Sequence, residues 1–268
     1  MEERSVPEWQ PSKRLKRGNA ADQIFEDLRE SILGGKLPRG TKLPTEKQLA
    51  DSYGVSGATI REAIRGLTSA RLVEVRHGSG AYVTAETDHL VALSLRSMIQ
   101  LERIGVPQVL GVLSALTTYA AELAATQATD ADIDAMQEAL RQIQQGSDVA
   151  IISSGVMHFI ESIANASGNP LLAALCRFLA TIQIGLAAEL SGGTVESWRA
   201  TTGSLSRERQ RLFKAIKERN PEAAGKAARS YHDRAQKIIT AQPNAHNATV
   251  SDPVLAQLLS SGLQSKGG

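Results

Sequence analysis

The stretch LPTEKQLADSYGVSGATIREAIRGLTSARLVEVRHGSGAYV, Leu43 to Val83, decides how this chain is read. Thr45-Glu46-Lys47-Gln48 has the form of a capping box, in which the Thr45 hydroxyl and the Gln48 amide each satisfy an amide at the start of a helix. That short helix is expected to end at Tyr53-Gly54. Ser56 then caps a second helix whose apolar residues, Ile60, Ala63, Ile64 and Leu67, recur at i, i+3, i+4 and i+7, so one face is buried. The other face carries Gly57, Arg61, Arg65 and Thr68. Leu72, Val73 and Val75 follow as a short strand, Tyr82 and Val83 as a second. His77-Gly78-Ser79-Gly80 between them permits a tight reversal with positive φ. Two helices joined by a sharp turn and followed by a glycine-tipped hairpin describe a winged helix-turn-helix, a module that reads duplex DNA.

The chemistry supports that reading. Guanidinium groups one turn apart on the second helix reach guanine edges or phosphates when the helix enters a major groove. Taken alone, Arg61 and Arg65 are as consistent with a solvated face; followed by the hairpin, groove reading is preferred. Arg76 and His77 beside the glycine tip are placed to approach a phosphate backbone closely, although His77 by itself is also an ordinary turn residue.

Upstream, Asn19 is expected to cap a first helix that presents Ile24, Phe25, Leu28 and Ile32 on one face and stops at Gly34-Gly35. Residues 1–18, with Lys13-Arg14 and Lys16-Arg17, are expected to form a disordered basic arm. Charge distribution agrees with a nucleic-acid module. From Pro11 to Ala85 there are thirteen Lys/Arg and eight Asp/Glu, an excess of five, although the chain of 268 residues has a net charge of only +2. The remainder is therefore net acidic, as in a basic DNA-binding unit joined to a second domain.

That remainder reads as helices. Aromatic residues make up only 4% of the chain, which argues for an Ala/Leu-rich helical domain and against a β-sandwich. A joining helix is expected over 87–105. Helical patterns follow at about 107–127, 130–145 (capped by Thr129), 149–166, 170–191, 194–219 and 221–241. The tail, 242–268, is marked as a linker by Pro243, Asn244 and Asn247, and has room for one short helix carrying Val254, Leu255, Leu258 and Leu259. The single cysteine, Cys176, lies in an apolar run and reads as a small buried hydrophobe. No disulfide is possible within the chain. No segment approaches the roughly 18 apolar residues of a membrane span and no apolar signal region precedes the basic arm. A cytoplasmic protein without a membrane partner is expected, and the Asn247-Ala248-Thr249 sequon is read as chance.

The motifs LPTEKQLA, REAI and HGSGAYV, at this spacing, resemble the winged helix-turn-helix of the GntR family of bacterial transcription regulators, over Asp22 to Val83. The resemblance implies DNA contacts at Lys47, Thr59, Arg61, His77 and Gly78, to which the residue reading adds Ser56, Arg65 and Arg76. One departure is Gly57, where the family usually has arginine, so operator sequence or affinity is expected to differ from relatives. FIESIANASGNPLLAAL (Phe159–Leu175) and AIKERNPEAAGKAARSY (Ala215–Tyr231) are similar to the FCD effector domain of the FadR branch, over most of Val106 to Ile239. The implied whole is mainly α: an N-terminal winged unit (19–86), the joining helix, and an all-helical effector-binding and dimerisation domain (106–241).

Many FCD domains hold a divalent metal through one aspartate and three histidines. By resemblance those positions fall here on Val156, Ile160, Arg209 and Tyr231, and a family arginine used against ligand carboxylates falls on Leu113. Two aliphatic side chains, a permanent cation and a phenol are not metal donors. His158 sits about 200° around the helix from Val156 and Ile160, and His232 lies one residue past Tyr231, so neither restores the set. No metal and no cofactor are therefore expected. Leu113, Thr117, Val156 and Ile160 are expected to line an apolar cavity for a small organic effector, with Arg209 and Tyr231 contacting its polar or acidic group. The plainer alternative is a repacked bundle in which Arg209 reaches solvent and Tyr231 is core. The expected protein is a homodimeric repressor on a near-palindromic duplex operator, with the joining helix as the lever between effector and DNA. Its rivals are a metal-dependent carboxylate sensor, a helical scaffold without effector, and an enzyme. Against the last stands the lack of a nucleophile–base arrangement, a phosphate loop or paired carboxylates in an apolar setting.

Overall fold

The computed structural model describes residues 19–84 and 87–241. The expected basic arm and C-terminal tail lie outside the described residues. The chain divides into two compact units after Leu90.

The first unit is built from α1 (Ala20–Leu33), α2 (Glu46–Tyr53), α3 (Gly57–Ser69), β1 (Val73–Arg76) and β2 (Gly80–Val83). Each helix begins where a side chain takes up an orphan amide: Asn19 for α1, Thr45 with Gln48 in a reciprocal capping box for α2, and Ser56 for α3. The apolar stripes Ile24, Leu28 and Ile32 on α1, Leu49 on α2, and Ile60, Ala63, Ile64 and Leu67 on α3 close around Leu37, Leu43, Leu72, Val73 and Val83 as one core. β1 and β2 pair antiparallel with Val73 opposite Val83 and Arg76 opposite Gly80. The strands differ slightly from expectation: Leu72 precedes β1 as a core residue, and Val75 is exposed near the tip. Lys42 adds a bridge to Tyr82 on the other edge of β2, so the hairpin is tied back to the chain just before α2.

The second unit is helical: α4 (Thr87–Leu101), α5 (Val106–Gln127), α6 (Asp130–Gln145), α7 (Val149–Ala166), α8 (Pro170–Leu190), α9 (Val195–Ser204), α10 (Ser206–Lys217) and α11 (Pro221–Thr240). The central helix is α5, which packs against α7, α8, α10 and α11, while α6 lies along α7. Small residues on α5, namely Ala120, Ala121, Ala124 and Ala125, allow this close packing and are fully buried. Ala92 and Ile99 of α4 belong to the same core.

Two expectations need correction. The helix anticipated over 194–219 is two helices, broken at Leu205. Its backbone carbonyls are drawn off by side chains: Thr202 Oγ1 donates to the Trp198 carbonyl over 2.9 Å, and Arg209 Nη2 donates to the Thr202 carbonyl. These bonds satisfy the end of α9 and free α10 to take a new direction. Second, three helices are long and apolar enough to cross a membrane by length and composition: Val106–Gln127, Val149–Ala166 and the Pro170–Ala188 part of α8. Their hydrophobicity serves the bundle, since all three pack against one another in its core.

Candidate functional site

The first unit presents its polar residues from three elements. Lys47 is exposed in the first turn of α2, and Arg61 and Arg65 are exposed one turn apart on α3. Arg61 Nε lies 4.0 Å from Glu46 Oε2, which brings the start of α2 beside the middle of α3. The pair is open to solvent, so it orients Arg61 with little contribution to stability. Ser56 Oγ receives the Thr59 amide at 3.3 Å and shares a hydrogen bond with Thr59 Oγ1 at 2.9 Å. Both hydroxyls are thus engaged in the cap, at the N-terminal end of α3.

The hairpin carries Arg76, His77 and Gly78, all exposed. Gly78 has φ +73°, a conformation that glycine adopts without steric cost, and Ser79 donates its amide to the Arg76 carbonyl to close the turn. The base of the hairpin contains a group that sequence reasoning missed. The Arg76 guanidinium sits 4.7 Å, and Lys42 Nζ 5.8 Å, from the centre of the Tyr82 ring, so one buried phenol organises two cations. The Tyr82 hydroxyl is anchored to Ser79 Oγ at 2.7 Å. Glu74, 3.4 Å from Arg76, offsets part of that charge. Lys42 gives no sequence signal, because the pairing of its strand segment with β2 is a long-range event.

In the second unit Val156, Arg209 and Tyr231 line one small cavity between α7, α8, α9, α10 and α11. Arg209 is 2% exposed and so does not reach solvent, while Tyr231 is equally buried and packs in a core cluster with Leu205 and Ala235, as the repacked-bundle alternative had it. Leu113, Thr117 and Ile160 are buried as well but do not line this cavity. Thr117 sits beside Cys176, whose thiol burial pushes up to about 11, an effect the Thr117 hydroxyl only partly offsets. Gln183, Trp198 and Thr202 were not anticipated as cavity residues. The only signal for Trp198 was a lone indole in an otherwise polar helix. As it stands the cavity encloses about 30 Å³, the share of a single water.

A divalent cation does not fit this residue set. Aliphatic Val156, a phenol and a buried guanidinium offer no anionic donor, and the guanidinium repels a cation. Neither nearby histidine supplies a ligand set. His158 bonds Gln142 at 3.0 Å on the surface. His232 is buried edge-on to the Tyr231 ring at 5.0 Å and holds no position in the cavity wall. A larger open groove of about 760 Å³ runs along α11. Its lining carries four acids, Glu122, Glu208, Glu222 and Asp233, against four bases, so the charges balance and it reads as a solvated, salt-bridged face.

A winged helix-turn-helix with a cationic face, followed by an all-helical unit with an internal cavity, defines a DNA-binding transcription regulator with a separate effector domain. Comparison with known proteins agrees. The family described as bacterial regulatory proteins, gntR family, matches residues 20–83, and the FCD domain matches residues 108–234. The HTH-type transcriptional regulator LutR of Bacillus subtilis (strain 168) is 28% identical over 200 residues, covering 74% of this chain and 89% of its own. The galactonate operon transcriptional repressor of Escherichia coli (strain K12) is 26% identical over 215 residues, covering 78% and 92%. A solved structure described as Streptococcus agalactiae GntR shares the fold with a TM-score of 0.60 at 24% identity, over 81% of this chain and 99% of that one. The chain belongs to the GntR family of transcriptional regulators and carries an FCD effector-binding domain.

Proposed function

We propose that this protein is a cytoplasmic, homodimeric repressor that leaves its operator when a small organic effector binds the C-terminal unit without help from a metal. The DNA half of this reading rests on the exposed Arg61 and Arg65 of α3, with Lys47, Ser56, Thr59, Arg76, His77 and Gly78 as further contacts. One recognition helix covers one half-site, so a near-palindromic duplex is read by two copies of the chain. Repression is the role that the galactonate relative is named for. The effector half rests on a single observation: the position at which many FCD domains carry a histidine holds a buried arginine, in a cavity walled mostly by hydrocarbon. Few directed polar groups in an apolar cavity suit an organic molecule. Such an effector acts only through its different affinity for the DNA-bound and free arrangements.

The test is a gel shift on the promoter fragment of the protein's own gene. Wild type should retard it at low salt, and Arg61→Ala should lose that retardation while its far-UV circular dichroism and melting temperature stay unchanged. Unaltered affinity in Arg61→Ala would remove α3 from the interface. Chelation should leave both DNA binding and its release by effector untouched.

A further inference from the structure

Lys42, Glu74, Arg76 and Tyr82 share one face of the hairpin. Glu74 stands opposite Tyr82 in the register of β1 and β2, and Lys42 is bridged to Tyr82 from the other edge of β2. Residues opposed across a ladder project to the same side, as do alternate residues along a strand. Leu43, Val73 and Val83 take the inner side and enter the core; Lys42, Glu74, Arg76, Gly80 and Tyr82 take the outer one. The Tyr82 ring is fixed by its hydroxyl on Ser79 Oγ, and both cations cover it, so that it is 6% exposed beneath them. Gly80 makes room for one of them. A Cβ there would come within 3.2 Å of Lys42 Cε, so the lysine stem crosses the hairpin where no side chain stands. The charges on this face do not balance. Glu74 answers Arg76 over 3.4 Å, whereas Lys42 has the ring and no ion pair among the described residues. Lys42 also stands three residues before the Thr45 cap of α2, no more than about 11 Å of extended chain. It therefore lies between the hairpin and the helix that bears Lys47.

We infer that Lys42 and Arg76 form a clamp on a backbone phosphate of the duplex, with Tyr82 as the positioning residue that keeps the two cations together. The inference rests on the DNA-binding reading of the winged unit and adds Lys42 to its contacts. The electron-rich face of the ring attracts both cations. Held in this way, two long side chains have less rotamer freedom left to lose when they meet an anion. A phosphate oxygen placed between them also relieves the repulsion of one cation by the other. The contact reads charge rather than sequence: an ammonium offers rotatable donors without a fixed pattern, and the Arg76 fork is already tied to the Glu74 carboxylate.

The experiment follows the full-length chain by fluorescence anisotropy on its own promoter fragment and on a scrambled duplex of equal length, at several salt concentrations. Lys42→Gln should weaken both duplexes by the same factor, roughly ten-fold near 0.1 M salt, and lower the slope of log K against log salt by roughly 0.9. Lys42→Arg should restore most of that loss. Tyr82→Leu should weaken both duplexes about five-fold, yet change nothing further in a chain that already carries Lys42→Gln and Arg76→Gln. Tyr82→Phe, which keeps the ring, should stay within about two-fold of wild type. A purely structural tyrosine would give the same loss in either background. If Tyr82→Leu fails to fold, Lys42→Gln carries the test, since it alters only the end of a half-buried side chain. Wild-type affinity and slope in Lys42→Gln, a loss confined to the promoter fragment, or an equal effect of Tyr82→Leu in both backgrounds would each overturn the clamp. A chain that binds both duplexes equally, with the Lys42 effect intact, supports the clamp and overturns the operator-specific regulator reading alone. Normal promoter binding that is indifferent to Lys42→Gln overturns the clamp alone, and binding to neither duplex overturns both.

Discussion

The Tyr53 hydroxyl donates to Asp27 Oδ2 over 2.8 Å, joining the last residue of α2 to the middle of α1 across 26 positions of sequence. Both side chains are buried. Burial, reinforced by the carboxylate, pushes the Tyr53 ionisation far above the ordinary phenol range, so the hydroxyl remains a donor at any working pH. This bond ties α2, the helix bearing Lys47, to α1. Tyr53→Phe removes a donor from a buried carboxylate and is expected to cost ~1–3 kcal/mol. Urea unfolding followed by circular dichroism checks this; an unchanged midpoint would assign the helix pairing to apolar packing alone.

Operator binding should carry the salt dependence of its phosphate contacts. Each lost contact lowers the slope of log K against log salt by roughly 0.9. Lys47→Ala and Arg76→Ala are expected to weaken all DNA sequences alike and to reduce that slope by about one. Arg61→Ala is expected to abolish binding of the specific duplex while changing binding of a scrambled one far less, as loss of a base contact requires. Fluorescence anisotropy on specific and scrambled duplexes at several salt concentrations separates the two behaviours.

His232 makes the second unit acid-sensitive. Burial pushes its imidazole down to about 4, from an ordinary value near 6.5. The unfolded chain therefore binds a proton that the folded chain refuses between those two values. The contribution of His232 to stability is expected to be full above pH 6.5 and to fall as the pH drops toward 4, by up to about 3 kcal/mol. Denaturant midpoints at pH 7, 5.5 and 4.5 should show this loss, and His232→Leu should flatten the profile in that window. An identical profile in the variant would assign the acid loss to other groups.

Two glycines predict opposite outcomes. A Cβ on Gly155 of α7 would lie 2.9 Å from the Ile143 amide nitrogen of α6, closer than atoms pack, so Gly155→Ala must push the helices apart. A loss of ~1–3 kcal/mol is expected. Gly111 on α5 has nothing within 4 Å of the same position. Gly111→Ala is expected to gain ~0.5–1 kcal/mol through helix propensity. Calorimetry of both variants should move the melting temperature down in the first and up in the second.

The winged unit was legible almost to the residue because its signals are local. Thr45 with Gln48, Ser56, and the Ile60-Ala63-Ile64-Leu67 stripe each act within one or two helical turns. The helices of the second unit were legible for the same reason, apart from the division of 194–219. The joint at Leu205 was not, since it depends on the Arg209 side chain reaching back seven residues to a carbonyl.

Residue order alone therefore determined nearly all of the elements and the winged helix-turn-helix order of the first unit. Only tertiary structure decided that Lys42 joins Arg76 over Tyr82, and that Gln183 and Trp198 share a cavity with Arg209 while Leu113, Thr117 and Ile160 do not. Caps and periodicity are properties of neighbouring residues. A cavity is what remains when five helices pack, and its lining depends on helix directions that no single segment encodes.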